Sequence, residues 1–419
     1  MTGDAALCVF SPFAMQFWRP IVYNYGSLEA AHVCRFANLR IAMKKLLSVM
    51  ACCVLGIPLF PAGEAKVGPD KATWDAVAQK AAKFLQGTQD KNGGWSTDKT
   101  PGVTGVALTG LLEAGQVTPQ EPAAQKALKF IESLVNPEKK HIAGKGDAKV
   151  HLHNYVTAIN VMALVEANQG DKYKTIIGDA VGYLKKLQWD EDEGKDPKDD
   201  FYGGAGYDSK SRPDLSNTQM FLDAMKAAGI GPEDPAMKKA LVFVSRCQNI
   251  KGETNDHPWA KLIDDGSFIY TAATGGVTKV VDQPLANGAL PGYGSMTYAG
   301  IKSMIYCGVG KDDERVKKAY GWIQKNYSVD KNPGMPESRS QWGLYYYYNT
   351  MAKSLDALGV DHVVDSKGVK HDWRKDITLA LAKRQRPDGS FHNVPNWMEA
   401  DENLVTGYAL MALSYCKPK

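Results

Sequence analysis

The stretch AAKFLQGTQDKNGGW (81–95) decides the fold, because its first half recurs along the whole chain. The fourth residue of a copy is aromatic in all but the last, and Gln follows five residues later in four of the copies. Apolar residues three and four apart indicate that each copy is an amphipathic helix. The further copies are ALKFIESL (127–134), AVGYLKKLQ (180–188), ALVFVSRCQ (240–248), AYGWIQKNY (319–327) and ITLALAKRQ (377–385).

Glycine-rich loops follow several copies, as in KNGGW (91–95), DDGSF (264–268) and PDGSF (387–391). Glycine there ends the helix and lets the backbone turn sharply. A second helix follows each loop, and its high content of apolar residues, Ala and Gly predicts that it is buried on both sides. These second helices begin near Thr104, Thr157, Ser216, Ser295, Asn349 and Thr406.

Six helical hairpins of this kind predict an all-α fold, because no strand pattern separates them. We expect them to close into an α/α toroid over residues 72–416, a double ring whose second helices line a central cavity. The repeat count and the unequal loops favour a closed ring over the alternative, an open solenoid of stacked hairpins.

The first 65 residues do not have the pattern of a fold. Residues 43–65 contain a basic start, an apolar run and a small-residue end, which together are typical of a secretory signal peptide. We therefore expect residues 1–42 to be a non-native extension from a mis-called start, and the mature protein to be periplasmic or extracellular. Membrane association is expected only through an uncleaved leader.

The net charge of the chain is only +4, and its basic residues are scattered, so nucleic acid is not an expected partner. Three widely spaced cysteines remain beyond the leader, which is too few for a zinc cluster. His151 and His153 are weak metal candidates that lack a third ligand. The sequence predicts no cofactor and leaves the oligomeric state open.

The phrases FLQGTQDKNGGW (84–95) and RQRPDGSF (384–391) resemble the QW motif of squalene–hopene cyclases. The resemblance extends over roughly residues 72–416 and includes stretches similar to a secreted bacterial branch of the terpenoid cyclase and protein prenyltransferase superfamily. It implies the α/α toroid of six hairpins that the repeats also predict. It further implies transferase or isomerase chemistry if the chain is active.

The catalytic motifs of that superfamily are incomplete here. Where cyclases place an acidic D-x-D-D-T-A motif, this chain has DLSNTQ (214–219), with Ser216 at the position of the proton donor. An alcohol does not protonate an olefin, and Asp214 at the start of a helix also fits a simple cap. No Cys or His stands where prenyltransferases hold zinc.

From the resemblance we predict an exported protein that binds a small apolar, isoprenoid-type ligand in the cavity, lined by Ser216, Asn217, Tyr298, Trp342, Tyr346 and Tyr347. The candidate catalytic residues are Asp214, Asp265 and Asp401. The aromatic walls also suit sugar rings, and carboxylates in several hairpin loops could converge on one rim. Two alternatives therefore stay open: an extracytoplasmic glycan-active hydrolase or lyase that uses rim carboxylates, and a protein-binding scaffold.

Overall fold

The computed structural model describes residues 67–145 and 152–419, and nearly all of its regular structure is helical. Six amphipathic helices form an outer layer, each with a buried face and an exposed face. They are α1 (Lys71–Gly87), α3 (Pro122–Ser133), α5 (Lys174–Lys185), α7 (Pro235–Arg246), α10 (Glu314–Asn326) and α12 (Trp373–Arg384).

Six further helices alternate with these along the chain and are buried around most of their circumference. They are α2 (Gly102–Glu113), α4 (His153–Ala167), α6 (Leu215–Ala227), α9 (Gly294–Tyr306), α11 (Leu344–Ala357) and α13 (Glu402–Tyr415). The described residues also contain one short α-helix, α8 (Ala260–Ile263), four short 3-10 helices, and a hairpin of β1 (Val363–Val364) and β2 (Lys370–His371).

The inner helices form a closed ring, since each one packs against the next and α13 packs against α2. The last outer helix, α12, also packs against the first, α1, across the closing joint. Polar contacts secure the joint: the Trp74 indole donates to the Leu413 carbonyl at 2.9 Å, and Lys99 pairs with Asp401 at 2.8 Å. The predicted α/α toroid is therefore confirmed, and the open solenoid is excluded.

The recurring glutamine explains how neighbouring hairpins are spaced. The Gln188 side-chain amide donates to the carbonyl of Gly203 in its own loop at 2.8 Å and to the carbonyl of Ala236, at the start of the next outer helix, at 3.0 Å. Gln385 does the same across the closing joint, where it donates to Gly389 and Val77. Gln89 and Gln248 make the equivalent pairs of bonds.

The loop glycine that follows each of these glutamines touches the same neighbouring helix. Gly203 has φ +80°, and a Cβ there would lie 1.8 Å from the Lys239 carbonyl oxygen. Only glycine combines this backbone conformation with so close an approach. The repeated Gln and Gly therefore mark a joint between adjacent hairpins, which is why the motif predicts the ring.

The two ends of the ring differ. The N-terminal ends of the inner helices surround a cavity, whereas a buried ion cluster lies between their C-terminal halves. Lys302 pairs with Asp223 at 2.7 Å, and the Lys353 ammonium lies 3.9 Å from the same carboxylate. These three side chains come from α9, α6 and α11 and are at most 5% exposed. We refer to Asp223, Lys302 and Lys353 as the ion cluster.

Residues 1–66, which include the predicted extension and signal peptide, lie outside the described residues. Within residues 67–145 and 152–419, no helix combines the length and apolarity needed to cross a bilayer.

Candidate functional site

A cavity of about 350 Å³ opens at the N-terminal ends of the inner helices. Each of the six inner helices contributes a residue of its first or second turn, and the remaining wall comes from the loops above them. The aromatic and polar lining residues are Thr100, Tyr155, Tyr207, Ser216, Tyr270, Lys279, Tyr293, Tyr346, Trp397 and Tyr408. Six tyrosines in one wall make the cavity aromatic and rich in hydroxyl groups.

Ser216 lies at the centre of a hydroxyl network. Its Oγ lies 3.1 Å from the Tyr346 hydroxyl and also contacts the Tyr155 hydroxyl. The Gln219 side-chain amide donates to the Tyr346 oxygen. Burial raises the pKa values of Tyr155 and Tyr346 above the ordinary range, so both phenols stay protonated. The network can donate and relay protons, but it does not supply a base at neutral pH.

Asp214 lies behind this wall and caps α6. Its carboxylate accepts from the Asn217 backbone N–H at 2.8 Å and from the Asn217 side-chain amide at 2.9 Å. The Tyr270 hydroxyl is a further hydrogen-bond partner, which connects Asp214 to the cavity. Burial raises the pKa of Asp214, and these hydrogen bonds oppose the shift. Asn217 itself is buried beside Asn154 and does not line the cavity.

The other two candidate catalytic acids also hold local structure. Asp401 caps α13 by accepting from the Leu404 N–H at 2.9 Å, and it pairs with Lys99. Asp265 accepts from the N–H and hydroxyl of Ser267 within its own loop. Asp214, Asp265 and Asp401 are thus not brought together and none lines the cavity, so their catalytic role stays a prediction.

The four consecutive tyrosines of α11 diverge. Tyr346 faces the cavity, whereas Tyr347 donates to the Ser328 carbonyl at 2.7 Å and Tyr348 to the Val329 carbonyl, both beyond the end of α10. Tyr345 packs edge-on against Phe391. Tyr298 lies edge-on to Tyr347, with ring centroids 5.7 Å apart, and does not line the cavity.

One lip of the cavity consists of Trp397 and Met398, which have φ values of 58° and 65°. Bulky residues rarely adopt this left-handed conformation. The Trp397 ring lies edge-on to Trp342, with centroids 6.1 Å apart, and Trp397 is 40% exposed. Trp342 therefore supports the lip rather than the cavity wall. A strained, exposed aromatic residue at the entrance is well placed to contact a ligand.

Glu399 anchors this lip to α11. One carboxylate oxygen accepts the backbone N–H groups of Tyr345 and Tyr346, each at 2.9 Å, and the other contacts the Asn393 amide. Burial raises the pKa of Glu399 to about 7, against the opposing effect of these hydrogen bonds. Glu399 is thus a buried carboxyl group that titrates near neutrality behind the entrance.

The weak metal candidates do not form a site within the described residues. His151 lies outside them. The His153 ring lies 4.2 Å from the His141 ring, and its Nδ1 is 3.4 Å from the Tyr183 hydroxyl. In the described ranges, no three His, Cys, Asp or Glu side chains are arranged to hold a metal ion.

Of the residues predicted from the sequence to hold a ligand, Ser216 and Tyr346 line this cavity, and its other five tyrosines were not among those predicted. The inner helices carry a signal that would have found two of them. Their recurring Thr bonds the loop backbone, as Thr104 does to Trp95 and Thr218 to Ala205. Residues two before and two after this Thr line the cavity in four repeats: Gly102 and Val106, Tyr155 and Ile159, Ser216 and Met220, Leu404 and Tyr408.

The same comparison explains why Thr218 matches the cyclase motif. Thr218 bonds its own loop, as the equivalent Thr does in other repeats, so its presence reports the hairpin geometry rather than cyclase chemistry.

Solved structures with the same architecture include several carbohydrate enzymes. The GH76A alpha-1,6-mannanase from Salegentibacter sp. HEL1_6 is 11% identical with a TM-score of 0.51, and the match covers 81% of this chain and 98% of that chain. A glycosyl hydrolase family 88 protein from Bacteroides vulgatus is 10% identical with a TM-score of 0.50, and covers 82% and 98%. No protein-family model matches this sequence, and no curated protein is similar to it.

This chain is an α/α toroid. That architecture is shared with terpenoid cyclases, but nothing in the structure or the comparisons supports cyclase chemistry. The prediction of an isoprenoid-type ligand was wrong, because the structural neighbours are glycan-active enzymes. The QW-like phrases misled because their Gln and Gly build the joint between hairpins and are not among the cavity-lining residues.

Proposed function

We propose that this protein is an exported glycan-active enzyme, a hydrolase or a lyase, whose substrate enters the tyrosine-lined cavity. The observation that carries the proposal is the wall itself: six tyrosines and Ser216 surround one opening at the N-terminal ends of the inner helices. The toroid neighbours are consistent with this proposal, although at their identity they establish only the fold.

The composition of the wall suits a sugar better than a hydrocarbon. Aromatic rings stack on the apolar faces of a pyranose, and phenol hydroxyls exchange hydrogen bonds with its hydroxyl groups. A hydrocarbon would leave the Tyr155–Ser216–Tyr346 network unable to bond to its ligand. The volume of about 350 Å³ lies at the lower end of the range of small-molecule sites, about 300–1,000 Å³, which fits one or two sugar rings.

The protonated phenols also suggest a role in the reaction. Tyr346 accepts a hydrogen bond from Gln219, and when Ser216 also donates to it, the Tyr346 proton can point into the cavity. From there it can donate to a glycosidic oxygen as the bond to the leaving group breaks, while water adds to the anomeric carbon in hydrolysis or a base removes a ring proton in elimination. This donor role serves hydrolysis and elimination equally.

Export remains part of the proposal, supported by the basic, apolar and small-residue segments of residues 43–65. A glycan-active enzyme that meets polysaccharides outside the cytoplasm would need such a leader.

The test is a turnover assay of the purified mature chain on a panel of neutral and acidic polysaccharides. New reducing ends report hydrolysis or elimination, and the ultraviolet absorbance of unsaturated sugars identifies elimination. We expect turnover of at least one polysaccharide, and Tyr346→Phe to lower kcat by about 10²-fold or more, in line with the loss of a positioned acid.

Tyr347→Phe is the matched control, because it makes the same substitution at the next residue, whose hydroxyl bonds outside the cavity. It should leave kcat unchanged. Binding or conversion of a polyprene instead of any glycan would overturn the proposal, as would equal effects of the two substitutions.

A further inference from the structure

Two cations meet at one tyrosine of the cavity wall. The Lys279 ammonium lies 4.4 Å from the centroid of the Tyr270 ring, and the Arg212 guanidinium carbon lies 5.8 Å from the same centroid. Lys279 and Tyr270 both line the cavity, whereas Arg212 lies near Tyr270 without lining the cavity itself. Among the described lining residues, Lys279 is the one with a charged side chain.

Neither cation has an acidic partner within residues 67–145 and 152–419. No Asp or Glu oxygen lies within 4.0 Å of either side chain. This differs from Lys302, Arg246 and Arg339, which all form ion pairs. The acid whose charge acts on Lys279 is Asp214, which raises the pKa of the Lys279 ammonium. The Asp214 carboxylate is already hydrogen-bonded by Asn217 and Tyr270.

The arrangement has an energetic cost in the absence of a ligand. Burial lowers the pKa of Lys279, and the positive charge of Arg212 lowers it further. Both effects mean that the charged form of Lys279 is less stable here than it would be in water. Two like charges near each other, neither of them directly paired with a carboxylate, become more favourable once an anion binds next to them.

The backbone holds Lys279 in place. Its carbonyl oxygen accepts from the Arg339 guanidinium at 3.2 Å, and the same guanidinium pairs with Asp282 at 2.6 Å. Because the loop backbone is already fixed, binding a ligand at Lys279 does not carry the entropic cost of ordering the loop.

We infer that the substrate is an acidic glycan, and that Lys279 and Arg212 bind the carboxylate of a uronic acid residue. The inference rests on the proposed function and adds the chemical class of the sugar. Lys279 offers its ammonium group from the cavity wall, and the Arg212 guanidinium near the same tyrosine adds a second positive charge. The hydroxyl network around Ser216 is left to bind the neutral positions of the sugar.

The experiment compares oligosaccharides of a uronic acid with the same oligosaccharides after their carboxyl groups have been reduced to alcohols. Isothermal titration measures the dissociation constant of both forms. We expect the wild type to bind the acidic form at least about tenfold more tightly, a difference of about 1.4 kcal/mol. Raising the salt concentration should reduce this preference, since both cations are accessible to screening ions.

Lys279→Met and Arg212→Gln should each reduce the preference toward equal binding, chiefly by weakening the affinity for the acidic form. Lys261→Met is the matched control, because Lys261 is exposed and lies outside the cavity. Circular dichroism verifies that each variant is folded.

The outcomes separate the inference from the proposed function. Equal binding of acidic and reduced oligosaccharides by the wild type would overturn the inference and leave the glycan-active assignment intact. A preference that survives both substitutions would also overturn it, because the selectivity would then arise elsewhere. Turnover of neutral polysaccharides alone would overturn the inference, and failure to bind any glycan would overturn the proposed function as well.

Discussion

The two ends of the inner ring use polar residues in opposite ways. At the open end, tyrosines, Ser216 and Lys279 line the cavity. At the opposite end, Asp223, Lys302 and Lys353 face one another and are at most 5% exposed. The polar groups at the open end can form hydrogen bonds with a ligand, whereas the charged groups of the ion cluster are paired with one another.

The direction of the inner helices accounts for part of this difference. All six point their N-terminal ends at the cavity, where the partial positive charge of each helix collects. Asp214, Glu399 and Asp401 supply carboxylates at those ends, to the backbones of α6, α11 and α13. Lys302 and Lys353 lie in the C-terminal halves of α9 and α11, where the partial charge is negative. The comparison predicts that the ion cluster serves stability and the open end serves binding.

The largest effect should come from breaking the ion cluster. Asp223→Asn leaves the buried Lys302 ammonium without its paired carboxylate and removes one of the two carboxylates that most raise the pKa of Lys353, and we expect it to lower the free energy of unfolding by about 3–5 kcal/mol. Urea-induced unfolding followed by circular dichroism measures the change. Glu233→Gln breaks a surface pair with Lys238 and should have no resolvable effect. Similar behaviour of the two variants would contradict a stabilising role for the ion cluster.

A pH-dependent effect should come from Glu399 at the open end. Its pKa is about 7 in the folded chain, against an ordinary value of 4.5. Between these values the folded state holds a proton that the unfolded state has released. This carboxyl should therefore lower the free energy of unfolding as pH rises from about 4.5 to about 7, by at most about 1.4 kcal/mol per pH unit.

Unfolding measured across that pH range tests the expectation. Glu399→Gln should flatten the slope, whereas Glu253→Gln, in an exposed loop, should preserve it. An unchanged slope in Glu399→Gln would show that other groups cause it.

The smallest effect on stability should come from the cavity wall. Tyr346→Phe removes one hydroxyl that bonds Ser216 and Gln219, and we expect a loss of about 1 kcal/mol or less. Thermal unfolding gives the value. A loss as large as that of Asp223→Asn would mean that the hydroxyl network holds the ring together, and would weaken its assignment to binding.

Sequence and structure agree most closely where a feature repeats. Gln188 and Gly203 belong to a pattern with four Gln members, and each member makes the same two bonds. Ser216 and Tyr346 were also found, because the start of an inner helix must face the axis. Residues with no repeat, such as Lys279, Tyr207 and Trp397, were missed as lining residues because they lie in loops of unequal length.

The amphipathic period, the recurring Gln and the loop glycines were enough by themselves to specify six hairpins and their closure, because each hairpin touches only its neighbours along the chain. The tertiary structure alone decided which hydroxyls meet in the cavity, that Lys279 and Arg212 flank one tyrosine, and that Asp223, Lys302 and Lys353 meet at the other end. Arg212 and Lys279 are 67 residues apart in the chain, and Ser216 and Tyr346 are 130 residues apart. Their proximity depends on which side chains of distant hairpins face the same space inside the ring, which no local pattern encodes.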